Sequence, residues 1–437
     1  MSKNDEVLII GGGLAGCEAA MQIASRKIKA RIIEMRPNKM TPVHKTGNLA
    51  ELVCSNSLKS TNPVTANGIL HQEMRKLGSV VMKAADIAKV PAGQALAVDR
   101  EVMSKQIEEM LLATGYVEIE RKEITSIPEE TPCIIATGPM TSDELAKNLS
   151  DLLGGEYLYF YDAVAPIIST ESIDKSLSFK ASRYNKGEAE YINCPLNKEE
   201  YDIFYNELIN AEQIQDSHGF EQVFFESCLP IEEIASRGYD TLRYGPMKPV
   251  GLRHPKTGKE NYAVVQLRQE NKEATMYSLV GFQTRLKWGE QKRVFSLIPA
   301  LKNMEILRYG VMHRNIFINA PSSLSPSGET LVKKGLFIAG QLSGVEGYVE
   351  SSASGIICGI NAVRYLKGEE LIVFPQETGI GSLMNYITSA DPENFQPMNI
   401  NMGLFPSIEK RFPSKKDKNT AIAQKAEYSF DEFIKNI

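Results

Sequence analysis

Val7-Leu8-Ile9-Ile10 is an unbroken apolar run that stops on Gly11-Gly12-Gly13-Leu14-Ala15-Gly16, and from Cys17 to Ser25 apolar positions recur at helical spacing. The pattern predicts a buried strand, a glycine turn and an amphipathic helix. A second apolar strand pattern, Ala30-Arg31-Ile32-Ile33, ends on Glu34, and a third, Cys133-Ile134-Ile135, runs into Ala136-Thr137-Gly138. Much later, Gly335 to Gly344 reads GLFIAGQLSG, a strand ending in glycines. Residues 347–366 then predict a helix with Gly347 near its start and a face of small residues, Ser351 to Gly355, suited to close approach. Between these blocks the pattern changes: after the aromatic stretch Tyr157 to Tyr161, short strand patterns such as Tyr262 to Leu267 alternate with Pro/Gly turns such as Gly245-Pro246-Met247-Lys248-Pro249. Beyond Phe395, Pro, Lys and Asn rise, and Lys410, Arg411, Lys415, Lys416 and Lys418 read as a basic tail.

At 437 residues the chain exceeds one ordinary domain of ~100–200 residues, so two or three are expected. Hydrophobic residues are 43% and charged residues 24%, the balance of a globular protein rather than a disordered one. No apolar run approaches the ~18–20 residues of a membrane span, and the first apolar segment lacks the h-region of a signal peptide. The expected compartment is cytoplasmic, with no membrane partner. The cysteines at 17, 54, 133, 194, 228 and 358 form no C-x-x-C pair, and the histidines have no ligand spacing. Neither disulfides nor a structural or catalytic metal is therefore expected. The net charge of -5 conceals an asymmetry, because Ser236 to Arg314 carries fifteen Lys/Arg against six Asp/Glu. A local positive field of that kind can bind a polyanion, and it is equally the mark of a solvated basic face.

Strand, glycine loop and helix at the start of the chain form the order a Rossmann unit requires. Gly11 permits the tight turn, Gly13 lets the backbone approach a pyrophosphate and Gly16 lets helix and strand pack, with Leu14 and Ala15 inside the turn and the N-terminus of the helix that follows favouring phosphate charge. Glu34, about twenty residues on, is placed to accept hydrogen bonds from an adenosine ribose and disfavours a 2′-phosphate there. Two later segments bear on the choice between FAD and NAD. The strand leading to Ala136-Thr137-Gly138 resembles the element that closes the nucleotide domain of many FAD proteins, and GLFIAGQLSG, with Gly340 and Gln341, resembles their C-terminal flavin motif. These motifs lie far apart. The expected fold is therefore α/β: a Rossmann-like FAD-binding domain assembled from both chain ends, 1–165 and 302–437, with an α+β insertion or substrate domain at 166–301.

Longer segments narrow the expectation. IIEMRP (32–37), NLAELVCSNSLKS (48–60), VPAGQALAVDR (90–100), YLYFYDAVAPI (157–167), FFESCLPIE (224–232), RYGPMKPVGLRHP (243–255), LVGFQTRLKWGEQ (279–291), RYGVMHRN (308–315) and GQLSGVEGYVESSASG (340–355) occur in order. Together they make the chain resemble the folate- and FAD-dependent tRNA (uracil-5-)-methyltransferases over nearly its whole length. The resemblance implies 5,10-methylenetetrahydrofolate as carbon donor, reduced flavin as carrier of the methylene and source of hydride, NAD(P)H as reductant, and a T-loop uridine of tRNA as substrate. The chemistry explains the need for cysteine: uracil C5 is a poor nucleophile until a thiolate adds at C6.

Cys17, Cys133 and Cys358 sit in core patterns and Cys194 is ambiguous, whereas Cys54 and Cys228 occupy polar, loop-like settings. The resemblance maps Cys228 to the uracil nucleophile, with Ser227 standing where the family has glycine, and Cys54 to a second thiol beside the flavin. It assigns His313 to stacking on the folate pterin, and Tyr348, just after the flavin motif, is a second candidate for that pocket. Arg285, Lys287, Lys292, Arg293 and Arg308 surround Trp288, a basic segment with an aromatic able to stack on an unpaired base. Three other readings stay open at this point: a ribosomal RNA target, a small-molecule flavin oxidoreductase, and a flavin-bearing RNA-binding chaperone.

Overall fold

The structure is a computed structural model and describes residues 6–130, 132–155, 158–185, 190–214, 229–255 and 257–437, with Phe160, Asn185 and His313 described by backbone alone. Cys228 lies outside the described residues.

Five parallel strands form the first sheet, in the order Leu336–Ile338, Cys133–Ile135, Glu6–Ile10, Lys29–Glu34, Val117–Arg121. Helices on its faces leave Val7, Ile9, Ile32, Ile134 and Phe337 fully buried, which is why these strands read as continuous apolar runs. Leu336–Ile338 joins residue for residue to Cys133–Ile135, so the late segment completes a sheet begun at the start of the chain. The first helix, Leu14–Ser25, starts three residues before the periodicity suggested because the glycine turn passes directly into it. Tyr348–Leu366 crosses it closely, using the small-residue face.

Leu158–Ala163 and Met312–Phe317 pair antiparallel, with His313 opposite Asp162. This ribbon carries the chain out of the first sheet's unit and back. Between its strands lies a six-stranded antiparallel sheet, ordered Phe179–Lys180, Ile192–Leu196, Ala263–Gln269, Met276–Leu279, Ile167–Ser169, Ile306–Arg308. Alternation along Ala263–Gln269 sends Ala263, Val265 and Leu267 into a second core with helix Lys198–Ile209, while Gln266 and Arg268 face the other way. One core draws on residues from Val7 to Leu149 and Ile316 to Phe430, the other on Ile168 to Met304. Buried Asn56 stitches the two units: its Nδ2 donates to Val98 O (3.0 Å) and Gln269 O (2.9 Å), and its Oδ1 accepts from Arg268 Nε (2.8 Å).

Residues 415–434, whose start was read as a basic tail, form a helix capped by Ser414 and buried through Ile422, Ala426 and Phe430. No described helix is long and apolar enough to cross a membrane.

Candidate active site

At Gly11 and Gly16 the glycine loop is shaped by contacts that leave no room for a side chain. Gly11 takes φ +103°, and a Cβ there would lie 2.5 Å from Ala136 O. A Cβ on Gly16 would run into Gly11 O, whereas at Gly13 it would meet nothing within 4 Å. Glu34 Oε2 accepts from Gly12 N (2.8 Å), and Oε1 accepts from Arg36 N (3.0 Å) and Nε (2.9 Å). Burial pushes the Glu34 carboxyl up, but the Arg36 guanidinium together with hydrogen bonds from the Arg36 and Gly12 N–H groups outweighs it and holds Glu34 below the ordinary carboxylate range. A small cleft of about 40 Å³ opens here, lined by Gly11, Glu34, Thr137 and Thr141 among others. Open space over Gly13 at a helix N-terminus, beside an ionised carboxylate, fits the pyrophosphate and ribose of a dinucleotide.

A larger cavity, about 250 Å³, is lined by Cys54, Lys59, Asp162, Gln341, Glu346 and Tyr348 among others. Cys54 lies in a loop outside any ladder, so its position depends on side chains brought from elsewhere. Arg100 donates to Leu52 O and Cys54 O (2.8 Å each), Arg308 donates to Val53 O (2.8 Å), and the Cys54 N–H donates to Tyr348 Oη (2.7 Å). Three successive carbonyls are thereby fixed by two guanidinium groups. Burial first, then the Asp162 carboxylate, pushes the Cys54 thiol up to about 12. Burial, with Asp162 and Glu350 nearby, also raises Glu346 well above the ordinary range. The cavity wall therefore holds a protonated thiol and a carboxyl able to keep its proton.

Alkylation of Cys54 follows from this. Its rate with iodoacetamide, followed by peptide mass mapping, is expected to climb about tenfold per pH unit from 7 to 10 without levelling, where an ordinary thiol levels near pH ~8.5. Asp162→Asn removes the negative charge, lowers the thiol pKa and accelerates labelling at fixed pH. A plateau below pH 9, or slower labelling in Asp162→Asn, contradicts the assignment.

A second cavity at Cys54, about 300 Å³, meets the larger one at Cys54, Ser55 and Gln283 and runs along the second sheet past Arg268 and Ser278. Cys54 thus stands between a chamber on the flavin-motif side and one on the sheet side.

The family profile described as glucose inhibited division protein A matches residues 6–370. Full-length relatives are closer. A protein of Pelotomaculum thermopropionicum named methylenetetrahydrofolate--tRNA-(uracil-5-)-methyltransferase TrmFO is 55% identical over 98% of both chains. Its namesake in Anoxybacillus flavithermus is 54% identical over 99% of this chain and 100% of its own. The chain belongs to the glucose inhibited division protein A family, in its TrmFO branch. The solved structure of Aquifex aeolicus GidA superposes with a TM-score of 0.69 at 17% identity, over 99% of this chain and 74% of that one, and shows the shared fold.

Within the TrmFO fold the residues singled out by sequence fall into separate groups. Gly11 and Glu34 share the nucleotide-end cavity with Thr137, and Cys54, Gln341 and Tyr348 share the larger one. Gly138 (φ +65°) and Gly340 (φ +77°) lie at turns between them, and Gly340 N donates to Ser354 Oγ (2.7 Å). The backbone of His313 pairs with Asp162, itself in the Cys54 cavity wall. Cys17, Cys133, Cys194 and Cys358 are all fully buried.

The basic segment looks different in three dimensions. Arg285 is ion-paired with Glu233, Lys287 with Glu212 (2.7 Å), and Arg293 with Glu207 and with Glu290 (2.7 Å). Glu207, Glu212 and Glu233 all lie outside the basic stretch, so the fold offsets part of the surplus that counting along the chain gives. Trp288 is 59% exposed and stacks on Tyr309 at 5.2 Å, with exposed Lys292 one turn further along the helix. Arg308, grouped with this segment by sequence, instead turns toward the Cys54 loop. The residues that sequence reasoning missed, Arg100, Asp162 and Glu346, all lie inside segments shared with the family, but their roles appear only when the two units meet.

Proposed function

We propose that this chain transfers the one-carbon unit of 5,10-methylenetetrahydrofolate to C5 of a tRNA uridine and completes it to a methyl group, with FAD as cofactor. The observation that carries the reading is 54–55% identity across essentially whole chains to enzymes of that name, combined with a thiol fixed between two cavities. The finer assignments belong to the same proposal: a T-loop uridine as target, NAD(P)H as reductant, the cytoplasm as compartment, and a functional division between 1–165 with 302–437 and 166–301.

In this reading Gly11, Gly12, Gly13, Leu14, Ala15, Gly16 and Glu34 hold the adenosine and pyrophosphate, and Thr137, Gly138, Gly340 and Gln341 hold the flavin end. When bound there, reduced flavin supplies the hydride that completes the methyl group. The Cys228 thiolate adds to uracil C6, which makes C5 nucleophilic toward the folate methylene. Cys54, tied to Tyr348 and Arg100, keeps its proton at neutral pH and is poised as a relay rather than a nucleophile. His313 and Tyr348 flank the folate. Trp288 and Lys292, with Arg285, Lys287 and Arg293 able to exchange glutamate partners for phosphates, form the RNA contact.

The test is incubation of purified protein with carbon-labelled methylenetetrahydrofolate, NAD(P)H and either unmodified tRNA or ribosomal RNA fragments. Label is expected in 5-methyluridine of the tRNA T-loop. Label in neither RNA defeats the reading, and label in ribosomal RNA alone moves the substrate.

A further inference from the structure

The second cavity has a wall whose chemistry the flavin and the two thiols do not use. Arg268 and Ser278 are directly opposed in the antiparallel ladder, so their side chains leave the sheet on the same face. Glu270, two residues after Arg268, shares that face and lines the same cavity. The Glu270 side chain is only 1% exposed. Its Oε2 is taken by Arg100 (Nε 3.0 Å, Nη2 2.9 Å), but Oε1 has no hydrogen-bond partner, the nearest Arg268 nitrogen being 3.9 Å away. The Ser278 hydroxyl, on a residue 5% exposed, is also without a partner. Buried polar atoms are nearly always hydrogen-bonded, and a lone carboxylate oxygen is among the costliest exceptions. Two such atoms on one wall of one cavity are the complement of something polar that enters it.

Their types say what that is. The wall offers one free acceptor, Glu270 Oε1, and two donors, the Ser278 hydroxyl and the Arg268 guanidinium. Uracil presents the converse along its pairing edge: one N–H donor at N3 and carbonyl acceptors at C2 and C4. Cytosine offers no N3–H, and a pterin presents two donors and one carbonyl on the corresponding edge. Cys54, where this cavity meets the larger one, puts this wall beside the thiol.

We propose that Glu270, Ser278 and Arg268 form the recognition subsite for the target uracil, with Glu270 Oε1 accepting from N3–H and Ser278 and Arg268 donating to the carbonyls. The assignment rests on the reading of the chain as a uracil methyltransferase. It makes these residues the source of uracil-over-cytosine specificity, since a carboxylate facing cytosine N3 sets acceptor against acceptor.

The test uses FAD-loaded protein and a T-loop minihelix carrying either uridine or cytidine at the target position. Ser278→Ala breaks no internal hydrogen bond, so flavin content and thermal midpoint stay at wild-type values, while KM for the uridine minihelix rises about fivefold and KM for methylenetetrahydrofolate holds. Glu270→Gln lowers kcat/KM on uridine at least about tenfold and narrows the uridine-to-cytidine ratio, because an amide N–H can turn toward cytosine N3. A rise confined to the folate KM, or variants with wild-type KM for RNA and an unchanged uridine-to-cytidine ratio, would overturn the subsite while leaving the methyltransferase reading intact. Absence of label with wild-type protein would instead bring down that reading, and the subsite with it.

Discussion

Alanine at Cys228 is expected to cut methyl transfer to tRNA by at least about a thousandfold while flavin content stays at the wild-type level. The size of the effect comes from the chemistry: without a thiolate at C6, C5 has no carbanion character and the folate methylene meets no nucleophile. No other described cysteine can take over. Cys17, Cys133, Cys194 and Cys358 are fully buried in the two cores, and burial raises each of their thiols. Cys54 is at the right place, but burial and the Asp162 carboxylate push its thiol up to about 12, so it holds its proton at pH 7. Cys54→Ala is therefore expected to impair turnover without removing the capacity to add to C6. Trapping with a 5-fluorouridine minihelix separates the two: a covalent protein–RNA adduct forms with Cys54→Ala and not with Cys228→Ala. Cys228→Ala retaining more than a tenth of wild-type transfer would move the nucleophile elsewhere, and full retention would favour a chaperone whose cysteines do no chemistry.

The contrast between the two cysteines also shows what a sequence can disclose. The glycine loop, the second strand and Glu34 were legible because they act within thirty residues of one another, and backbone geometry alone fixes their relation. Distance between motifs was informative too. Flavin-type motifs near both ends imply one sheet built from both, as the pairing of Leu336–Ile338 with Cys133–Ile135 shows. The setting of Cys54 was not legible. Its clamps come from Arg100, Arg308 and Tyr348, separated from the loop by 46, 255 and 294 positions, and nothing local announces them. Charge along the chain showed the basic stretch but not its partners, because Glu233, Glu212 and Glu207, which pair with Arg285, Lys287 and Arg293, arrive from outside it. The final helix is a different case. Ile422, Ala426 and Phe430 recur every fourth residue, a spacing that marks a buried helical stripe, but the lysines before it drew the reading toward a tail.

A pair of alanine substitutions is expected to separate the glycines that build the fold from those that leave room for the cofactor. The helix Tyr348–Leu366 crosses Leu14–Ser25 so closely that the place of a Cβ on Gly355 is already occupied by Ala15 O, and one on Gly359 would lie 2.7 Å from Ala19 O. Backbone oxygens cannot swing aside as side chains do, so Gly355→Ala must separate the helices. Such overpacking costs about 1–3 kcal/mol, here toward the upper end, and lowers the thermal midpoint of a chain of this length by roughly 3 °C. Ala15 belongs to the glycine loop and Ser354 Oγ holds Gly340 N, so the same displacement reaches both ends of the flavin site and FAD is lost as well. Gly13→Ala presents the opposite case. Its φ is -75°, a conformation alanine adopts freely, and the added methyl meets no protein atom. Only a weaker helix cap, about 1 kcal/mol at most, burdens the apoprotein, whose midpoint should move by no more than about 1 °C. The methyl does, however, fill the space through which a pyrophosphate would reach the helix N-terminus, so flavin affinity is expected to fall at least about tenfold. Flavin-to-protein absorbance ratios and apoprotein melting curves measure both quantities on the same samples. Equal melting losses in the two variants would show that Gly13 is held by the fold rather than by the cofactor. Full flavin retention in Gly13→Ala would displace the pyrophosphate from the loop altogether.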